Sequence, residues 1–541
     1  MAHDLGLGVS AETFYQEHLG KRTSAVQLGR RLADIIIPSV FPEESYQTGE
    51  EIAITNQSIS AGLVNTLASK CMLAAFPPGL PMAKHTPIES KLGADIKADP
   101  ELWGEIQYAL SRRMAMHQAR LEATGTRTAY TRAMRLNIVT GNGLVLWTDI
   151  NKPVVHNMHS YVVKRSNAGE ALVTVLKETI PWALADEDVR AATEKARAEK
   201  NREHGRKGMW EEEVSIFHVQ VLTREDDGTK EFCYWQEAEG GAVIADTEAY
   251  APYDCPIMYP FGMIHEVGSD WFLPYAMDYE GDHQAVETYA SSSQDMAAAS
   301  AWNLMFVDPS GQTDLRDVQG ADNLDVLPGR ADDVTTLQNQ KGSDYRVVQE
   351  EFQAAARRLV QAYASYVSIQ RNGERVTAEE WQKLTYELDQ AMGGLFAELS
   401  QTLQRYFVLR FIHLHEMEDK ALGDLPEGLV QVSVVTGIDS LGQTAEGARL
   451  REAMAEAKEV LGEALATEIN PSDYLRRLFA NKSIKSEGLV KSGEEKAADQ
   501  QKMMAAQQQQ TLLEKGTAPI ATAGAGMLGQ MIQQKMAQGE T

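Results

Sequence analysis

The sequence predicts an α+β chain, predominantly helical and divided into several domains, and three observations carry that prediction. Apolar residues recur every three or four positions over long stretches, most clearly from Trp381 through Leu384, Leu388, Met392, Leu395, Leu399 and Leu403 to Phe407. Between about 141 and 262 the period drops towards two, and turns such as Gly141-Asn142-Gly143 cut the chain into short strands. A length of 541 residues with 43% hydrophobic side chains fills more than one core.

Residues 11–36 carry apolar Phe14, Leu19, Val26, Leu28, Leu32 and Ile36 and stop before Pro38, as a single helix would. A second helix, 56–75, holds Ile59, Leu63, Leu67 and Leu73 and ends at Pro77-Pro78-Gly79. Residues 100–121 and 127–139 read as two more, rich in Met and Arg. Strands are expected at 144–147, 156–163 and 172–176, with Asn167-Ala168-Gly169 as a connection. Residues 185–213 are almost wholly charged and favour helix, which reads as a solvated surface helix rather than a nucleic-acid site. A hairpin, 214–222 with 232–235, turns at Asp226-Asp227-Gly228, and Pro256–Gly262 closes this mixed unit.

A helix from about 275 to 300 follows, and its second half from Tyr289 is dominated by Ala and Ser, small enough for neighbouring helices to approach closely. Residues 304–311 and 326–330 give short strands and turns before a return helix from about 344 to 369. Arg371-Asn372-Gly373-Glu374-Arg375 is a polar turn in which Asn-Gly permits positive φ. The next helix opens with Thr377 and Glu380 as a capping box and Val376 and Trp381 as a hydrophobic staple. It runs for ~60 Å at 1.5 Å per residue, to about His415. Gly393-Gly394 inside it costs ~1 kcal/mol per glycine relative to alanine and predicts a kink or a close helix contact rather than a straight rod. One strand is expected at 430–435 and helices at 445–466 and 471–480; the Gln-, Ala- and Met-rich end is expected to finish in disorder.

With 51 basic against 77 acidic residues the net charge is −26, which argues against a surface that holds nucleic acid tightly. Net repulsion with a few basic contacts would suit DNA that slides, and solubility alone is the other reading. Cys71, Cys233 and Cys255 form no metal or disulfide pattern and read as reduced thiols of an intracellular product. No signal peptide is expected, and no apolar run nears the ~20 residues that span a bilayer, so no membrane role is expected. Nucleotide-binding, zinc-protease and serine-hydrolase motifs are absent. His413-x-His415 and His156-x-x-His159 lack companions at ligand spacing and read as satisfied histidines. The expectation is therefore no metal, no cofactor and no enzymatic activity.

The run from Arg371 to Glu380 between two helices, the second interrupted by Gly393-Gly394, resembles the channel-loop region of portal proteins, the head-to-tail connectors of short-tailed bacteriophages. Ile37-Pro38-Ser39-Val40-Phe41-Pro42, the stretch Leu67 to Pro77, and Ser160-Tyr161-Val162-Val163 with Arg165 resemble further segments of that family in the same order. The resemblance covers about 37–436. It implies a wing (1–270), a first stem helix (271–300), a small β-containing clip (301–343), a second stem helix (344–369), a channel loop (370–376), a long kinked helix returning to the wing (377–436), a helical crown (437–515) and a flexible tail (516–541).

The same resemblance implies a ring of twelve subunits at one capsid vertex, made in the host cytoplasm and carried in the virion at the head–tail junction. Double-stranded DNA would pass through it without being read, driven by the terminase packaging motor and later released through a tail adaptor. Capsid and scaffolding proteins would be further partners. Arg371, Asn372, Gly373, Glu374 and Arg375 would then form a ring of charge facing phosphates. Taken alone, two arginines on a short loop are a solvated turn. Arg346, Arg357 and Arg358 on the return helix could add further rings, though one face of that helix must pack. The alternative is an oligomeric scaffold or adaptor with no channel.

Overall fold

The computed structural model describes residues 7–46, 49–77, 82–88, 100–199, 210, 212–224, 228–301, 304–322, 325–337, 342–363, 388, 390, 392, 394–419, 422, 430–434, 454–457 and 459. Of these 52% are helical and 21% lie in strands, so the chain mixes helix and sheet with helix predominating. There are two compact units, one of Met1–Lys91 with Arg113–Glu446 and one of Leu92–Arg112 with Gly447–Thr541. Among the described residues the second consists of helical segments only, at 100–112, 454–457 and 459. All the strands and the apolar clusters belong to the first.

The segment expected as one helix at 11–36 is two: α1 (Ala11–Leu19), capped by Ser10 Oγ accepting the Thr13 N–H, and α2 (Thr23–Ile36). A tight turn, Gly20–Arg22, separates them. Arg22 accounts for the break. It is buried, its Nη1 donates to the Tyr15 hydroxyl and to the Met158 and His159 carbonyls, and its Nη2 meets Glu44 at 2.6 Å. A continuous helix would hold that side chain elsewhere. Helix α3 (Ile59–Ala75) is followed by strand β1 (Ala83–Pro87), then α4 (Pro100–Glu122) and α5 (Thr126–Thr140). Gly141 ends α5 at φ +73°, and a Cβ there would lie 2.5 Å from the Pro274 backbone nitrogen, so only glycine fits.

Strand β2 (Asn142–Leu146) is central in a three-stranded antiparallel sheet between β3 (Val154–His156) and β9 (Met258–Gly262). A second antiparallel sheet runs β4 (Tyr161–Arg165), β5 (Ala171–Pro181), β6 (Glu213–Arg224), β7 (Lys230–Ala238), β8 (Ala249–Pro252) in chain order. The single strand expected at 156–163 is thus two strands in different sheets. Asn157 makes the change of direction, its Oδ1 accepting the His159 N–H, while Met158 is buried. Within the charged segment, α6 (Glu187–Glu199) buries Val189, Thr193 and Ala196 and pairs Arg197 with Glu239 at 2.9 Å and Glu212 at 2.8 Å.

Helix α7 (Glu280–Ala301) leads into β10 (Leu304–Val307), a short helix α8 (Leu315–Gly320), β11 (Val334–Leu337) and α9 (Gly342–Ala362). The strand facing β10 is β11, with Leu304 opposite Leu337, and not 326–330. Pro328 has no N–H for a ladder and Gly329 stands at φ +152°, whereas Val334-Thr335-Thr336 is β-branched. Beyond Gly394 come α10 (Leu395–Leu399), one π-helical turn at Ser400–Gln404, α11 (Arg405–Glu418) and β12 (Val430–Val434). Strand β12 pairs antiparallel with β1.

Trp147 lies in the middle of the largest apolar core, its ring centroid 5.3 Å from Phe407 and 6.5 Å from both Tyr406 and Phe411. Arg410 reaches into this core, where Nε and Nη2 donate to the Trp147 carbonyl at 3.0 and 2.7 Å. Cys71, Cys233 and Cys255 are free and buried. No helix among the described residues is long and apolar enough to cross a membrane.

Candidate functional site

Helices α7 and α9 run antiparallel as a hairpin whose far end is the β10–β11 ribbon. Its base is held by polar contacts that neither helix makes alone. His283 is fully buried; its Nδ1 lies 2.8 Å from Ser60 Oγ on α3 and its Nε2 2.9 Å from the Tyr363 hydroxyl. Burial pushes this imidazole down to about 4, so it stays neutral there. The Tyr275 hydroxyl donates to the Ala362 carbonyl, and Glu287 accepts from the Asn56 backbone and side chain at 2.8 Å. Arg31 on α2 grips Glu280 through Nε and Nη2.

The three arginines expected on the return helix do not behave alike. Arg346 and Arg357 are separated by close to three helical turns, which puts them within ~20° of one another and opposite buried Ala355 and Leu359. Both are exposed, and among the described residues neither has an ion-pair partner. Arg358 lies at the edge of that face, where Nη2 meets Asp282 on α7 at 2.6 Å. On α7, Ala290 to Ser293 are half-buried, while Ala297 and Ala298 are exposed.

Arg371, Asn372, Gly373, Glu374, Arg375, Val376, Thr377, Glu380, Trp381 and Gly393 lie outside the described residues. Gly394 lies within them, at φ +88° immediately before α10. The far end of the hairpin carries large apolar side chains in the open: Met305 and Phe306 are each 58% exposed and Val326 97%. Single apolar residues in an Asp- and Gly-rich stretch were the available signal for this surface, and periodicity does not register them.

The histidines pair across the chain rather than locally. His159 Nε2 meets the Pro42 carbonyl at 3.0 Å and its ring stacks on Phe41, apart from His156. His415 Nδ1 lies 2.9 Å from His117 Nδ1 instead of joining His413. Around His117 are His85 and Glu416, a group with metal-binding donors that has no local spacing in the sequence to reveal it. Burial pushes His85 down to about 4. Burial would raise Glu416, but His117 and Arg113 beside it outweigh that and hold it at about 2.

The hairpin thus combines a buried polar base, an outward arginine face and an exposed apolar end. Comparison with known proteins gives the family. The chain belongs to the family described as "Bacteriophage head to tail connecting protein", which matches residues 10–488. It is 27% identical over 499 residues to the portal protein of Enterobacteria phage T3, covering 91% of this chain and 90% of that one. Identity to the portal protein of Escherichia phage T7 is 26% over 521 residues, 95% and 94% of the two chains. The portal protein of Pseudomonas phage phiKMV is 27% identical over 483 residues, 87% and 91% of the two.

Proposed function

We propose that this chain is the subunit of a phage portal, a ring at the junction of head and tail through which DNA enters and leaves. The observation that carries this is the family match over residues 10–488, together with portal proteins that align along nearly their whole length. In this reading 271–300 and 344–369 are the stem, 301–343 the clip, 1–270 with 377–436 the wing and 437–515 the crown. The ring has twelve subunits, docks the terminase motor and then the tail adaptor, and touches DNA through phosphates only.

Physical features support the reading without depending on it. A half-exposed run of Ala and Ser on α7 lets helices of adjacent subunits approach closely. The apolar end around Met305, Phe306 and Val326 gains by burial against a neighbour. Head-to-tail contacts between such unlike surfaces close into a ring when their rotation permits. Arg371 and Arg375, with Arg346 and Arg357, supply local positive charge in a chain of net −26. Electron microscopy and sedimentation of the purified protein test this. Rings with a central channel are expected, and a particle that stays near 59.7 kDa at every salt concentration would overturn it.

A further inference from the structure

We propose that His85, His117 and Glu416 bind a divalent metal ion of the zinc type, which pins strand β1 to helices α4 and α11. One ligand atom from each lies within 4.8 Å of the other two. His85 is 4% exposed and His117 is fully buried, yet among the described residues both ring nitrogens of His85 and Nε2 of His117 have no hydrogen-bond partner. A neutral imidazole carries one N–H and one lone pair, and buried groups of that kind are nearly always satisfied. Here one unsatisfied nitrogen from each histidine lies beside a carboxylate. His117 Nε2 and Glu416 Oε1 are 3.6 Å apart, beyond a hydrogen bond.

The neighbours prepare these groups for a cation. When His117 donates through Nδ1 to His415 Nδ1, 2.9 Å away, its Nε2 lone pair is left facing Glu416. A metal-bound histidine characteristically gives its other N–H to such an acceptor, which makes His415 a positioning residue. Arg113 donates to Glu416 Oε1 through Nε at 3.2 Å and Nη2 at 2.6 Å, and fixes the carboxylate in the way that ligating carboxylates are commonly held. The guanidinium charge opposes a dication, so micromolar rather than tighter affinity is expected.

Two imidazoles and one carboxylate suit zinc, cobalt or nickel, whereas calcium and magnesium take oxygen donors. Tetrahedral zinc holds its ligands about 3.3 Å apart, so the widest pair would draw in by at most roughly 1.5 Å, with water as the fourth ligand. The ion would clasp segments far apart in the chain, since His85 lies in β1 and Glu416 in α11, the helix that precedes β12.

The assembled wild-type protein, stripped with EDTA and titrated with cobalt, tests this directly. One cobalt per subunit with the visible bands of four-coordinate cobalt, displaced by zinc, is the expected result. His85→Ala and Glu416→Gln should each abolish those bands, and His415→Ala should weaken binding by about 10- to 100-fold with the bands retained. Zinc should raise the melting temperature of the wild type and leave that of the His85→Ala, His117→Ala double variant unmoved. Wild-type protein that takes up no cobalt at 100-fold excess, or uptake identical in the double variant, would overturn the proposal.

Discussion

Reversing Arg346 and Arg357 together would separate the proposed passage of DNA from folding. Both side chains lie opposite the buried face of α9 and, among the described residues, have no ion-pair partner, so Arg346→Glu with Arg357→Glu should cost the fold less than about 1 kcal/mol. The two positions are ~16 Å apart along the helix axis, a span in which duplex DNA carries about ten phosphate charges. Each subunit changes by four charges, or roughly 48 around the proposed ring of twelve, which would replace attraction by repulsion at two levels of the proposed passage. Rings should assemble normally but fill capsids with DNA poorly in a packaging assay at low salt. The defect should shrink as the screening length falls from ~30 Å at 0.01 M to ~3 Å at 1 M. Arg358→Glu is the contrasting variant: it faces Asp282 and should loosen the hairpin, seen as a lower melting temperature. Assembled double-variant rings that package as well as wild type at every salt concentration would refute the assignment of this face to the passage.

Arg410→Met should lower stability by about 2 to 4 kcal/mol in thermal unfolding, because the Trp147 carbonyl loses both donors inside the core; a cost below 1 kcal/mol would show that water replaces them. Gly141→Ala should cost more than about 2 kcal/mol, since φ is +73° and the new Cβ meets backbone at Leu273 and Pro274. Gly62→Ala, in α3 with nothing within 4 Å, should stabilise by about 0.5 to 1 kcal/mol, and the two melts together check the contrast. His283 is held at about 4 when folded, chiefly by burial and against the pull of Asp282, but titrates near 6.5 when unfolded. The unfolded chain therefore binds more protons between those values, so this contribution is complete above pH 6.5 and lost as pH falls towards 4, at most about 3 kcal/mol. His283→Gln should flatten the melting temperature across that window, and an unchanged slope would place the acid sensitivity elsewhere.

Helices were legible because their signal is local. The periodicity at 100–121 and 127–139 lies within one or two residues of α4 and α5, and the turn read at Gly141-Asn142-Gly143 follows α5 directly. What escaped depends on distant partners. Arg22 breaks the first helix by bonding to carbonyls at 158 and 159, and nothing near Arg22 announces them. The π turn at 400–404 is invisible to a pattern of threes and fours, which absorbs a slip of one residue. The three arginines of the return helix were grouped together by sequence, because only the position of Asp282 on another helix distinguishes Arg358. Local His-x-His spacing drew attention to His413, whereas the group that converges is assembled from β1, α4 and α11.

The pairing of β1 with β12 also sets an order of events during synthesis. The hydroxyls of Thr86 and Ser433 lie 3.5 Å apart across that ribbon, yet 347 residues separate them in the chain. At ~5–20 residues per second a ribosome needs roughly 20 to 70 s to cover that distance, and throughout it β1 has no β12 to pair with. An unpaired strand edge is a template for any other chain, and nascent copies of the same protein carry the matching strand. Competence to join the proposed ring would thus be acquired late in translation, and a chain cut short before residue 430 would present β1 as an adhesive edge instead of a finished subunit.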